Sequence, residues 1–248
     1  MLSTIKINEN PKHPDTFTAL SHVSSKPHNR KIGDVAQTWH LTDEKPSEAY
    51  KNGNDEKVCG DCPLRSPAAG GNGACYVVLI HGPNGVHSSH RTVEENRPVN
   101  QEVQPLPDTI DKPIRFGAYG DPILMPIELV RELASKAQGH IGYTHQWQTC
   151  DQEFRHYLMA SVDPAMAKRG GVTTYELAQQ AKAMGWRWFR ILEQNELPMA
   201  DEVQCLNETH GIQCAKCLMC NGSRKNAKNQ PKSITIYVHG TGAGNVSS

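Results

Sequence analysis

The chain has 248 residues, and its 26 lysines and arginines balance 26 aspartates and glutamates, giving a formal net charge of zero. Such a chain sets up no global field for nucleic acid or anionic membrane, and no apolar run in it reaches the roughly 18 residues of a spanning helix. Its length suits one large domain or two small ones.

Residues 1–29 scatter Pro, Ser and His without sustained periodicity and predict a flexible extension. The opening ten residues carry no apolar core of signal-peptide length, so a cytoplasmic location is expected. One α/β metal-binding domain is expected over 30–240, and a disordered tail over 241–248. Val35, Trp39 and Leu41 predict a buried strand. A loop rich in Gly, Asn and Pro follows and carries Cys59, Cys62 and Cys75. Tyr76-Val-Val-Leu-Ile80 predicts a strand or the start of a buried helix, and the proline-rich stretch 97–113 a connector.

From Ile114 the pattern alternates. Ile114–Tyr119 reads as a strand ending in Gly120-Asp121-Pro122. Pro126 opens a helix with Ile127, Val130, Leu133, Ala134 and Ala137 on one face, closed by Gly139. His140–Thr144 and Tyr157–Val162 predict strands, the second stopped by Asp163-Pro164. Thr173 and Glu176 form a capping box for a helix that ends at Gly185. Trp186–Leu192 and Ser233–Val238 predict the last two strands. Strand–helix–strand alternation implies mostly parallel strands with crossover helices, so the expected fold is α/β, a partial or complete (β/α) barrel with cysteine-rich metal-binding loops. An open doubly wound sheet also fits. Both architectures place function at the C-terminal strand ends, where Asp121, His145, Asp163 and Arg190 are the candidate catalytic residues. Arg115 and Arg190, facing inward, would need a carboxylate or phosphate partner, whereas Arg187 is expected at the surface.

Seven of the eight cysteines fall in two groups: Cys59, Cys62 and Cys75, then Cys205, Cys214, Cys217 and Cys220. Gaps of two residues let thiolates converge on one metal centre. Clustered thiols in a reduced compartment point to metal rather than disulfides. Structural zinc takes two ligands from each of two knuckles, while three cysteines in seven residues with equal gaps match a cubane ligand run. One or two [4Fe–4S] clusters are therefore expected, with zinc as the alternative. The first group lacks an obvious fourth ligand. Cys150 or a tail thiol could complete it, the position could stay open to a substrate, or all seven thiols could share one composite site. Cys150 alone reads as a small buried hydrophobe. His81, His87 and His90 are secondary ligand or relay candidates.

Cys59-Gly-Asp-Cys62-Pro-Leu-Arg with Cys75-Tyr-Val resembles the signature of an uncharacterised phage and prophage protein family. Arg115-Phe-Gly-Ala-Tyr-Gly-Asp121-Pro, Gly142-Tyr-Thr-His-Gln-Trp147, Met159-Ala-Ser-Val-Asp163 and Gly185-Trp-Arg-Trp-Phe-Arg190 agree with it. The resemblance spans about Asn29 to Gly240 and implies a host-cytoplasmic setting without assigning a reaction. The three early cysteines ahead of strand–helix repeats are also similar in plan to radical S-adenosylmethionine enzymes, which implies that cofactor. The spacing differs, with gaps of two and twelve in place of Cys-x-x-x-Cys-x-x-Cys. Two functions are expected on these grounds: an iron–sulfur redox or radical enzyme working with a redox partner, or a zinc-stabilised module binding nucleic acid or protein, its phosphate contacts supplied by the basic stretch 216–232. A pure electron carrier is the third reading.

Overall fold

The computed structural model describes residues 4–11, 13–22, 29–96, 103–193, 195–225, 228–238 and 245. Nine strands form one sheet in the order β1-β2-β3-β4-β5-β6-β7-β9-β8. They are β1 (Thr4–Asn10), β2 (His13–Ser21), β3 (Ala36–Thr42), β4 (Ile114–Tyr119), β5 (His140–Thr144), β6 (Met159–Val162), β7 (Trp188–Leu192), β8 (Glu202–Gln204) and β9 (Ser233–Tyr237). Strands β1, β2 and β3 pair antiparallel, and every pairing from β3 onward is parallel. The fold is therefore mixed α/β, as the alternation predicted. Among the described residues β1 and β8 end the sheet and do not pair with each other, so a complete barrel is not formed. The stretch β3 to β7 runs in sequence order without a reversal, which removes the switch point of a doubly wound sheet.

Among the described residues, eight α-helices connect the strands: α1 (Pro46–Asn52), α2 (Glu56–Cys59), α3 (Gly82–Asn96), α4 (Ile127–Lys136), α5 (Pro164–Gly170), α6 (Thr174–Ala183), α7 (Leu206–His210) and α8 (Cys214–Cys217). The capping box opens α6 as expected: Glu176 N–H donates to the Thr173 hydroxyl, and the Thr173 N–H donates to the Glu176 carboxylate. Parallel register decides the two sheet faces, because alternate residues point to opposite sides. Ile114 and Phe116 of β4, Ala160 and Val162 of β6 and Trp188 of β7 pack with Val130 and Leu133 of α4 and with Leu177, Ala178 and Ala181 of α6 in the main core. The opposite face carries Arg115, Tyr143 and, just past β5, His145.

Several expectations need correction. Residues 4–10 and 13–21, expected in a flexible extension, form the β1–β2 hairpin, with Phe17, Ala19 and Leu20 buried alongside Thr16, Thr18 and Ser21. Burial of those hydroxyl-bearing residues disguised the strand as polar loop. Residues 76–80 form neither strand nor helix; Val77 and Leu79 pack inward while Tyr76, Val78 and Ile80 are exposed. Asp163-Pro164 stops β6 and also starts α5, with the Asp163 carboxylate accepting from Met166 N–H and Pro164 at the first helical position. Part of the proline-rich connector and nearly all of the expected tail lie outside the described residues.

Candidate metal centres

The first cysteine group is carried by α2 and the turn after it. Cys62 N–H donates to Cys59 O at 3.3 Å, and Cys75 N–H to Leu64 O at 2.9 Å. Gly60 supports this turn in two ways. Its φ is +55°, and a Cβ there would sit 2.2 Å from Gln146 Nε2. That loop is tied to α5 through Asp61, whose carboxylate accepts from Arg169 Nη1 at 2.8 Å, while Arg65 Nη1 holds Gly60 O at 2.7 Å. Cys62 and Cys75 pack with Leu64, Ala74, Ala165 of α5, Ile191 at the end of β7 and Val238 just past β9. The group therefore sits over the C-terminal ends of the parallel strands.

Three predicted site residues meet it there. His145 lies beside the Cys62 thiol, and its Nε2 lies 3.1 Å from Asp163 Oδ2, in ion-pair contact but off the hydrogen-bond line. Burial alone would lower the His145 pKa, but Cys62 and Asp163 outweigh it and hold the imidazole well above its usual value. Asp121 is buried and its oxygens accept from Ile123 N–H, Thr144 Oγ1 and His145 N–H, at 3.2, 3.0 and 3.1 Å. It acts as a clasp between the ends of β4 and β5. A cavity of about 230 Å³ opens beside His145, lined among others by Asp61, Gln146, Gln148, Arg169 and Gln180. Arg190 does not join them. It is 1% exposed on the other face, and its guanidinium is engaged by Glu202 at 2.7 Å, by Glu196 and by Leu197 O. It is an internal tie between β7 and β8.

The second group builds on β8, α7 and α8. Cys205 N–H donates to Thr235 O of β9, and Cys214 N–H to Lys31 O. Helix α8 sets Cys214 and Cys217 three apart on one side. Leu218 then turns left-handed at φ 51°, its side chain filling the space left by Gly139, where a Cβ would meet Leu218 Cδ1 at 2.7 Å. Cys220 O takes the Gly142 N–H of β5 at 3.1 Å, beside the point where β6 pairing begins at Met159. Arg187, expected at the surface, is 2% exposed and fastens this loop. Its five bonds reach Met219 O, Asn221 Oδ1, Gly222 O, Pro231 O and Lys232 O.

The thiols sort into two sets. Burial first, then Cys62 and Cys75, raise the Cys59 thiol well above its usual value, and burial pushes Cys75 to about 11. Cys214 is raised by burial and by Cys205 and Cys217; Cys220 is pushed by burial to about 12, with Cys214, Cys205 and Cys217 adding to it. Thiol neighbours of Cys59 and Cys75 all belong to the first set, and those of Cys214 and Cys220 all to the second. Cys150 packs against the helix-side core, and among its charged neighbours are Asp121 and Asp151. All eight cysteines are free. Among the described residues, no three His, Cys, Asp or Glu side chains are arranged to hold a single metal ion.

Two residues, Tyr143 and Arg115, were not singled out as site residues from sequence. The Tyr143 hydroxyl lies beside the Cys220 thiol. Arg115, 8% exposed, has Cys214 among its ionisable neighbours and donates through Nη2 to the hydroxyl of Tyr76 at 2.9 Å. Its Nε has no partner, and among the described residues no carboxylate makes an ion pair with it. Alternation along β4 and β5 puts Arg115 and Tyr143 on the face of His145, and that was the available signal. His87 and His90 serve the scaffold instead: His87 Nε2 contacts Asp43 O at 3.1 Å, and His90 stacks on Phe17 at 4.3 Å.

Fold and site together define an α/β protein with a mostly parallel sheet and two thiol-rich loops on one sheet face. Comparison with family models, curated proteins and solved structures finds no match. Among the described residues, no helix is long and apolar enough to cross a membrane.

Proposed function

We propose that the chain is an iron–sulfur protein with two cysteine-held centres on a partial (β/α)-barrel scaffold, acting as a redox or radical-type enzyme. Cys205, Cys214, Cys217 and Cys220 would hold one cubane, and Cys59, Cys62 and Cys75 the other. Arg115 is the observation that carries this reading. A buried guanidinium without a carboxylate is costly, and neutral thiols do not offset it. Four thiolates around a metal–sulfur core bear net negative charge next to Cys214, which is the counter-charge Arg115 lacks.

A bound cubane supplies one-electron chemistry and, where one iron has no protein thiolate, a position for substrate. The chain's own residues do the rest. His145, steadied by Asp163, holds a proton at the rim of the cavity. Gln146, Gln148 and Arg169 offer hydrogen bonds to a polar substrate there, and Asp121 fixes the rim. The sequence resemblance to phage and prophage proteins supports the host cytoplasm as the working compartment.

Anaerobic purification tests this directly. The expected product is brown, absorbs near about 400 nm and contains about eight irons and eight sulfides per chain. A colourless, zinc-loaded protein that takes up no iron under reconstitution overturns it.

A further inference from the structure

A second cavity, of about 550 Å³, lies behind the second cysteine loop, away from the sheet face that carries the thiols, and the metal reading makes no use of it. It is lined by Glu153, Arg155, His156, Arg224, Lys225 and Gln230, among others. Its floor is rigid. Ser223 is 4% exposed; its N–H donates to Arg155 O at 2.6 Å, its hydroxyl accepts the Arg187 N–H, and its carbonyl lies 3.0 Å from His156 Nδ1. With Nδ1 committed to that carbonyl, His156 Nε2 is left for other contacts.

Charge in this cavity does not balance. Arg155, Arg224 and Lys225 converge on it, and Glu153 is the one carboxylate in its lining. Glu153 already accepts from Arg131 Nη2 at 2.6 Å, leaving Lys225 a loose contact at 3.9 Å. Among the described residues, the guanidinium groups of Arg155 and Arg224 have no ion-pair or hydrogen-bond partner. Arg224 is close enough to Arg187 that the two guanidinium groups repel. Arg224 and Lys225 are exposed at its mouth and Arg155 is half-buried, so the recess presents net positive charge that an anion would neutralise.

We infer that this cavity binds the phosphate of a phosphorylated ligand, with Arg155, Arg224 and Lys225 around the phosphate and His156 and Gln230 hydrogen-bonding the organic part. Guanidinium groups suit phosphate because their planar forks donate in pairs. Two sources share this chemistry: a small phosphate ester, and the backbone of a single-stranded nucleic acid. Neither requires metal at the thiol sites.

Binding of inorganic phosphate, a nucleoside monophosphate and a short single-stranded oligonucleotide to the full chain, followed by calorimetry across a salt series, tests the site. All binding should weaken with salt, and the double variant Arg155→Gln/Arg224→Gln should lose about tenfold or more, the scale of removing charge-assisted contacts. Lys51→Gln, which removes a charge on α1, should lose nothing. A mononucleotide bound as tightly as the oligonucleotide identifies a single phosphate group; tighter oligonucleotide binding, with a log–log salt slope near −0.7 per neutralised phosphate, identifies a strand. Either distribution upholds the site. If the double variant does not fold by circular dichroism, Lys225→Gln at the rim should still show a smaller loss. Absence of binding by all three probes at low salt overturns the inference, as does binding that these substitutions leave unchanged.

Discussion

Arg115 and His40 show how single buried bases report on their surroundings. Arg115 is held beside Cys214 and Tyr143 with its Nε unsatisfied, so its positive charge would act on a cluster held by the four-cysteine loop. Nearby positive charge favours the more reduced, more negative state of a cluster. Arg115→Gln should therefore shift the midpoint potential of the second centre downward and leave the first centre unmoved, as read by EPR-monitored titration. An unchanged potential would remove Arg115 as its counter-charge. His40, in β3, is 1% exposed; its Nδ1 meets Thr18 Oγ1 at 3.0 Å and its Nε2 has no partner. Burial lowers its pKa to about 3, so the folded state keeps it neutral. The sign follows. Between about pH 3 and 6.5 the unfolded chain binds one more proton than the native one, so stability falls as pH falls through this window, by about 1.4 kcal/mol per pH unit. His40→Gln should remove that share of the slope in urea unfolding at pH 5 and pH 7. A variant with the same slope as the parent would mean that His40 is not held neutral.

At the level of elements, the second cysteine loop depends on Arg187 and the β7–β8 edge on Arg190, and the two guanidinium groups work differently. Arg187 is a hub of carbonyl acceptors, binding four backbone oxygens and the Asn221 side chain. Arg187→Gln leaves several of them buried and unsatisfied, a loss of about 3 kcal/mol or more. Because the acceptors flank Cys220, the variant should also lose metal at the second centre before the first, measurable by metal content after mild chelation. Arg190 makes a charge pair with Glu202, whose side chain is fully buried. Glu202→Gln removes the fully buried one of Arg190's two carboxylate partners, leaving Glu196, and should cost about 3 kcal/mol in chemical denaturation while leaving metal content unchanged. The same elements show what was legible in sequence. Strands β4, β5, β7 and β9 and helices α4 and α6 announced themselves through apolar period and caps, because one face of each packs on a shared core. The hairpin β1–β2 did not, since its buried side includes threonines and serine whose hydroxyls read as loop. Arg187 was misplaced because its partners are carbonyls from residues 219–232, and no local pattern encodes a contact across more than thirty residues. The grouping of the seven thiols was readable from spacing. That Asp121, His145 and Asp163 would meet the first group, while Arg190 would not, depended on parallel register and on which face each strand turns inward.

For the whole molecule, the question is whether the seven thiols serve one site or two. Spacing left a composite site open, whereas the folded chain distributes them along one sheet face, the first set over the strand C-terminal ends and the second beside Arg115 and Tyr143 near the middle of that face. Arg115 links them physically: it has Cys214 among its ionisable neighbours and donates to Tyr76, which follows Cys75 in sequence. Two centres so arranged should load independently yet communicate. Cys59→Ala/Cys62→Ala and Cys214→Ala/Cys217→Ala, each purified without oxygen, should each retain about half of the parent's iron and sulfide, four of about eight. The two half-loaded proteins should differ spectroscopically. The first variant keeps a centre with four protein thiolates, indifferent to added small ligands; the second keeps a three-thiolate centre whose EPR signal shifts when a candidate substrate occupies the cavity beside His145. Loss of all iron in both variants would mean that the two sets build a single composite centre, and Arg115 would then lie inside one site rather than between two.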